Sequence, residues 1–343
     1  MKRKIVDEAV SSVKEHADTK SPSKAVVYNW APGKVLSTGS TLLDLAISSS
    51  RVYGGGVPGG ILMEVYGRSG SGKTSILSEL GGSAQALGGE VKFLDPEARL
   101  DHDHCLTYGL IIDKACYHKP NTVTEMFELL TTWKPNPAHI NVLAADSLAA
   151  LSTELELQKG DKMGMRRAKE FSEGLRKTCR LIEENNWVIA CSNQVRQGDF
   201  GDVTPGGKAV EFYSSLRISV NQVAKIEKEK SIDKDKKKKI KRVIGIESKC
   251  IITKSSIDKP FREVPIYIIF DYGLDDVRAN LQWLKENLEL AKYKAIDKEY
   301  VPLDAAIKYI EDNNLEEALR KEVIELWQAI EEKFKQVRKS KKR

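Results

Sequence analysis

Eight consecutive residues, Gly67-Arg68-Ser69-Gly70-Ser71-Gly72-Lys73-Thr74, carry the most specific chemistry in the chain. They match G-x-x-x-x-G-K-[ST] and stand between an apolar run, Ile61 to Tyr66, and a helix-like segment opening at Lys73. Glycines at these places let the backbone turn so that successive N–H groups point inward, and the N-terminus of the following helix adds positive potential. Lys73 is placed to reach the β- and γ-phosphates of a nucleotide, and the Thr74 hydroxyl to ligate Mg²⁺. Two carboxylates follow at the ends of further apolar runs. Asn141-Val142-Leu143-Ala144-Ala145 delivers Asp146, which could hold Mg²⁺ through water or merely cap the next turn. Phe93-Leu94-Asp95-Pro96 delivers Glu97, a candidate base for an attacking water or a simple helix-terminal charge.

The elements that must position these groups are legible as alternation. Strand-like runs at Ile61 to Tyr66, Val91 to Asp95, Asn141 to Asp146, Val188 to Asn193 and Leu216 to Val220 are mostly separated by helix-length segments. Those segments include Lys73 to Leu87, Val123 to Trp133 and Met165 to Glu184. Strand–helix alternation predicts an α/β fold, a mostly parallel central sheet with helices on both faces. Beyond Leu274 the chain reads as almost wholly helical, with Leu303, Ala306, Ile307 and Ile310, then Leu319, Val323, Leu326, Trp327, Ile330 and Phe334, at helical spacing. At the other end, residues 1–20 read as a short helix with Ile5, Ala9, Val13 and His16 near one stripe. A Ser/Pro/Lys break and an apolar stretch, Ala25 to Trp30, come next. Such an arm cannot bury its apolar side alone and is expected to dock on a neighbouring subunit. The expected division is therefore an arm over 1–34, a core over 35–273 and a helical domain over 274–343.

Composition excludes several classes. The 343 residues suffice for one large core plus appended domains, and 41% hydrophobic with 30% charged residues is ordinary for a globular protein. No run of about 18 apolar residues exists, so no membrane span is expected. The basic start is followed by no apolar stretch of a secretory signal. Five scattered cysteines, none in a C-x-x-C pair, fit a reducing cytoplasm. The net charge of +6 is unevenly placed: Lys225 to Arg242 holds ten Lys/Arg against four Asp/Glu, and Lys333 to Arg343 holds seven and no acid. Both segments look mobile, and each suits either a polyanion or plain solvation.

Taken together, the motifs resemble those of the bacterial RecA recombinase family and its viral relatives. Ser37-Thr38-Gly39-Ser40 with Leu43-Asp44, then Gly54 to Gly60, is similar to the lead-in to that family's phosphate loop. Phe93 to Glu97 resembles the segment bearing its catalytic glutamate, and Asp146-Ser147 its second Mg²⁺ motif. Ser192-Asn193-Gln194-Val195-Arg196 resembles its N-Q-[IV]-R, and Gly206 to Val210 with Phe212 to Arg217 the end of its second DNA loop. The likeness runs well over about residues 35–275.

The resemblance implies a P-loop NTPase with a RecA-like core that takes ATP and Mg²⁺. It also implies a helical homo-oligomeric filament on single-stranded DNA that pairs with double-stranded DNA. Glu97, Lys73, Gln194 and Lys254 would form the catalytic set, Gln194 sensing the γ-phosphate and Lys254 reaching a neighbour's nucleotide. Asp101 and His104 would hold the adenine, His104 standing where the family has a tyrosine. The run Asp101-His102-Asp103-His104-Cys105 leaves a metal site as the other reading. DNA loops are expected at about Gln158 to Gly164 and Gln197 to Gly206. Their contacts would come from Met163, Gly164, Arg166, Arg167, Arg196, Gly206, Gly207 and Lys208. Three departures stand out: Ser256 and Glu211 where the family has lysines, and a basic rather than acidic tail. A hexameric helicase or DNA motor on a similar core is the alternative, and a regulatory scaffold the rival from another class.

Overall fold

The computed structural model describes residues 35–159, 164–198, 201–203, 208–231 and 239–338. The expected N-terminal arm, Met163, Gly206, Gly207 and the last five residues lie outside the described residues, as do parts of both expected DNA loops. One compact unit contains the described residues up to Ala279, and a second contains those from Asn280 on.

The first unit opens with β1 (Val35–Leu36), α1 (Thr41–Ser48), β2 (Val57–Pro58), β3 (Ile61–Gly67), α2 (Lys73–Ala86) and β4 (Val91–Leu94). It continues with α3 (His102–Leu106), β5 (Tyr117–His118), α4 (Val123–Thr132), β6 (Asn141–Ala145), α5 (Glu154–Lys159) and α6 (Gly164–Glu184). Then come β7 (Trp187–Gln194), β8 (Arg196–Gly198), β9 (Gly201–Val203), α7 (Lys208–Tyr213), β10 (Leu216–Ser231), β11 (Lys239–Ser255), β12 (Glu263–Ile269) and β13 (Gly273–Leu274). Nine strands form one sheet in the order β13-β12-β11-β10-β3-β7-β6-β4-β5. From β10 to β5 every pairing is parallel, as the alternation predicts; β10, β11, β12 and β13 add an antiparallel margin.

Strands buried on both faces explain why the central runs are apolar throughout rather than alternating. On one face, Leu62, Leu143 and Ile189 pack with Phe127 of α4 and Phe171 and Leu175 of α6. Trp133 stacks on the fully buried Trp187, ring centroids 5.3 Å apart. Helices α4 and α6 approach so closely that a Cβ at Gly174 would lie 2.2 Å from the Phe127 ring. On the other face α2 packs against β3, β4, β6 and β7, so the phosphate-loop helix is seated on the middle of the sheet.

A half-buried acid on that helix makes stability depend on pH. The Glu79 carboxyl on α2 lies against Gly39, where a Cβ would meet it at 2.4 Å. Burial, then the charges of Asp44 and Asp276, push the Glu79 carboxyl from 4.5 up to about 8. The folded chain therefore holds a proton between those values that the unfolded chain has released, and stability falls as pH rises through that window. Glu79→Gln removes this loss. Its melting temperature should match wild type near pH 4.5 and exceed it increasingly toward pH 8; an equal difference at both ends would mean that Glu79 is not protonated in the fold.

The sequence reading of Lys225 to Arg242 as a mobile-looking basic stretch is corrected on its described residues. β10 runs 16 residues rather than five, and pairs with β11 out to Ser231 opposite Lys239. β3 accompanies β10 only through Ser219, and β12 accompanies β11 only from Gly245 on. Beyond those points the two strands form a ribbon on their own. The reason is in the pairing: Lys241 and Lys239 reach diagonally to Glu227 and Glu229 on one face. Lys228, Lys230 and Arg242 share the other face with Ile240 and Ile244.

Helix α8 (Asp276–Asn287) follows β13, its residues from Asn280 on belonging to the second unit. That unit also contains β14 (Tyr293–Ala295), β15 (Lys298–Tyr300), α9 (Leu303–Asp312) and α10 (Glu316–Lys333). Ala306, Ile307, Ile310, Leu319, Val323 and Trp327 are buried as their spacing predicts, and Trp283 stacks on Trp327 at 5.7 Å. The small β14–β15 hairpin interrupts a region expected to be almost wholly helical. No helix among the described residues is long and apolar enough to cross a membrane.

Candidate nucleotide cleft

β3 delivers the phosphate loop at the middle of the sheet, between β10 and β7. Gly70 and Gly72 adopt φ of 74° and 97°, the left-handed region that an L side chain resists, and a Cβ at Gly72 would meet Ile268 at 2.3 Å. Gly72 caps α2 with no side-chain hydrogen bond, which leaves first-turn N–H groups of a 14-residue helix open to an anion. Ser71 Oγ is buried and has no hydrogen-bond partner among the described residues, while Ser71 O accepts from Ser248 Oγ at 2.9 Å. Gly67 ends β3, and Arg68 and Ser69 complete the turn.

Lys73 Nζ donates to Gly67 O at 3.1 Å and Arg68 O at 2.9 Å. Its burial lowers the ammonium pKa, and the carboxylates of Asp146 and Glu97 oppose that shift. A partly desolvated cation held only by carbonyls is well suited to turn to phosphate oxygens. Thr74 Oγ1 donates to Asp146 Oδ2 at 2.5 Å, and Ser192 Oγ donates to the other oxygen of the same carboxylate. A hydroxyl beside a carboxylate is the hard-oxygen donor set that Mg²⁺ takes with phosphates and water. Glu97 Oε1 accepts from Ser147 Oγ at 3.2 Å, and Glu97 Oε2 lies 3.0 Å from the exposed Arg99.

These groups line one cleft of about 440 Å³. Gln194 lies in its wall, exposed at the end of β7. Asp101 caps α3, accepting from Asp103 N at 3.0 Å and His104 N at 3.1 Å. His104 meets Tyr108 edge-on at 5.0 Å, and Tyr108 bonds Ser75 at 2.8 Å. His102 turns instead to Tyr117, so the two histidines do not converge as the metal reading requires. Sequence reasoning missed Tyr108, whose signal was its place four residues after His104. It also missed Ile246, Ile268 and Phe270, which line the cleft from the antiparallel margin and gave no local signal.

Other expected site residues lie elsewhere. Lys254 does not line the cleft; its Nζ donates to Glu211 O at 2.7 Å and Phe212 O at 2.8 Å, at the end of α7. Burial, then Arg217, lowers its pKa. Arg167 turns inward to Ala149 O and Leu151 O, both at 3.2 Å, whereas Arg166 stays half exposed, 3.8 Å from Glu170. Gly164 opens α6, Arg196 opens β8 and Lys208 opens α7.

The RecA N-terminal domain family matches residues 4–275. The chain belongs to the RecA family. Among its relatives, RecA of Phytoplasma mali (strain AT) is 30% identical over 327 residues, covering 91% of each chain. RecA of Gluconobacter oxydans (strain 621H) is 33% identical over 70% of this chain and 67% of its own. RecA of Clostridium beijerinckii is 30% identical over 80% and 73% respectively. Membership of the RecA family makes the chain a RecA-type recombinase and a DNA-dependent ATPase. The ring-helicase alternative is not favoured.

Proposed function

We propose that the chain binds ATP with Mg²⁺ in this cleft, assembles as a helical filament on single-stranded DNA, and pairs that strand with double-stranded DNA in the cytoplasm. The observation that carries the reading is the convergence of Lys73, Thr74, Asp146 and Glu97 on one phosphate loop. In this reading first-turn N–H groups and Lys73 hold the phosphates, and Thr74 and Asp146 would hold Mg²⁺, which supplies charge neutralisation at the phosphate oxygens. Glu97, steadied by Ser147, accepts the proton of the attacking water. Gln194 reports the γ-phosphate, and His104 with Asp101 borders the base. Lys254, outside its own chain's cleft, acts on a neighbour's nucleotide. DNA is held by the segments around Met163 to Arg167 and Arg196 to Lys208. Adding single-stranded DNA should raise ATP turnover; a rate indifferent to DNA would overturn the reading.

The ribbon beyond the sheet adds phosphate contacts from the Lys230–Arg242 face. Lys230→Gln with Arg242→Gln should reduce the log–log salt slope of DNA binding by roughly 0.7–0.9 for each phosphate no longer neutralised. Lys239→Gln with Lys241→Gln should change it less, because Glu229 and Glu227 already neutralise that face. Equal slopes in both pairs and in wild type would make the ribbon's cations solubilising only.

A further inference from the structure

A stripe of polar side chains crosses four strands between the cleft and α7. Lys254 of β11 stands opposite Arg217 of β10, and Arg217 opposite Glu64 of β3. Asn193 of β7, opposite Tyr66, reaches Glu64 diagonally from the other side. Glu64 is fully buried, and its carboxylate is satisfied from two directions: Oε1 accepts from Asn193 Nδ2 at 2.9 Å and Oε2 from Arg217 Nε at 2.6 Å. The Arg217 guanidinium lies over the Tyr66 ring, 4.6 Å from its centroid, and its other edge reaches Glu211 Oε1 at 2.9 Å. One planar cation thus bridges a buried carboxylate and a second one, Glu211, whose side chain is 54% exposed on α7.

Both ends of the stripe abut functional elements. Asn193 Oδ1 accepts from the backbone N of Gln194, the residue in the cleft wall. Glu211 sits on the helix that follows the Arg196–Lys208 segment. A buried charge cannot lose a partner cheaply, because an unpaired carboxylate in a low-dielectric site is strongly disfavoured. A shift of the Asn193–Gln194 step must therefore be followed by Glu64 and Arg217 or leave Glu64 a donor short. Glu211 holds the outer edge of Arg217 as Glu64 holds the inner one.

We propose that Glu211 is a positioning residue: through Arg217 and Glu64 it ties α7 to the Asn193–Gln194 step, so that nucleotide state sets DNA affinity. This rests on the reading of the cleft as the ATP site and of the segment before α7 as a DNA contact. The test is the affinity for a fluorescent oligodeoxythymidine, measured with a non-hydrolysable ATP analogue and with ADP. The coupling is the ratio of the two affinities. Glu211→Gln and Glu211→Lys should each lower that ratio about tenfold, the scale of one charge-assisted hydrogen bond. Analogue affinity should stay within about twofold, since Glu211 lies outside the cleft, while Glu211→Asp keeps most of the ratio. Combined with Gln194→Ala, the loss should be less than additive, since both changes cut one chain of contacts. A static brace would weaken DNA binding equally in both nucleotide states, and an unchanged ratio in Glu211→Gln overturns the proposal. A wild-type ratio near one would overturn the proposal and the reading beneath it together; a large wild-type ratio with an unaffected variant overturns the proposal alone.

Discussion

Glu97→Gln is expected to lower ATP turnover by about 10²-fold or more while leaving ATP and DNA binding in place. Glutamine keeps the shape of the side chain and an oxygen to accept from Ser147, so the wall of the cleft is preserved. It removes the basicity that a water proton needs. The ion pair given up is with Arg99, whose side chain is 81% exposed, and exposed pairs contribute little to stability. Steady-state hydrolysis with saturating single-stranded DNA, alongside direct ATP binding, separates the two properties. Wild-type turnover in the variant would mean that another group positions the water.

Lys73→Ala should abolish nucleotide-dependent DNA binding. The ammonium lies in the loop, partly desolvated and held by the carbonyls of Gly67 and Arg68, in the same cleft as the open first turn of α2. Alanine leaves the phosphate charge without its cation and gives the loop nothing in return. Because Gly67 O also accepts from Val195 N and Arg68 is exposed, the fold should persist, which circular dichroism would check. Undiminished binding of a fluorescent ATP analogue in this variant would sink the phosphate-loop assignment.

What could be read from the sequence followed the range over which each feature is encoded. The phosphate loop, Asp146 and Glu97 are each written in a few contiguous residues behind an apolar strand, and the structure brings all three to one cleft. The helices after Leu303 were legible because Ala306, Ile310, Val323 and Trp327 repeat at 3.6 residues and bury one side. The β10–β11 ribbon was not legible: with neither face buried, hydrophobic alternation is absent, and Lys225 to Lys230 reads as a run of charge. Its strand character depends on cross-strand partners such as Glu227 and Lys241, which lie far apart in the chain. The same holds for Ile246, Ile268 and Phe270 in the cleft and for Arg217 against Glu64, which are products of strand register.

If ATP in this cleft drives assembly of the chain on single-stranded DNA, the assembly must depend on which nucleotide is bound. Electron microscopy of the full chain with single-stranded DNA and a non-hydrolysable ATP analogue tests it most directly. Extended helical filaments along the DNA are expected, shortening or vanishing when ADP replaces the analogue; closed rings, or unassembled protein under both conditions, would refute ATP-driven filament assembly.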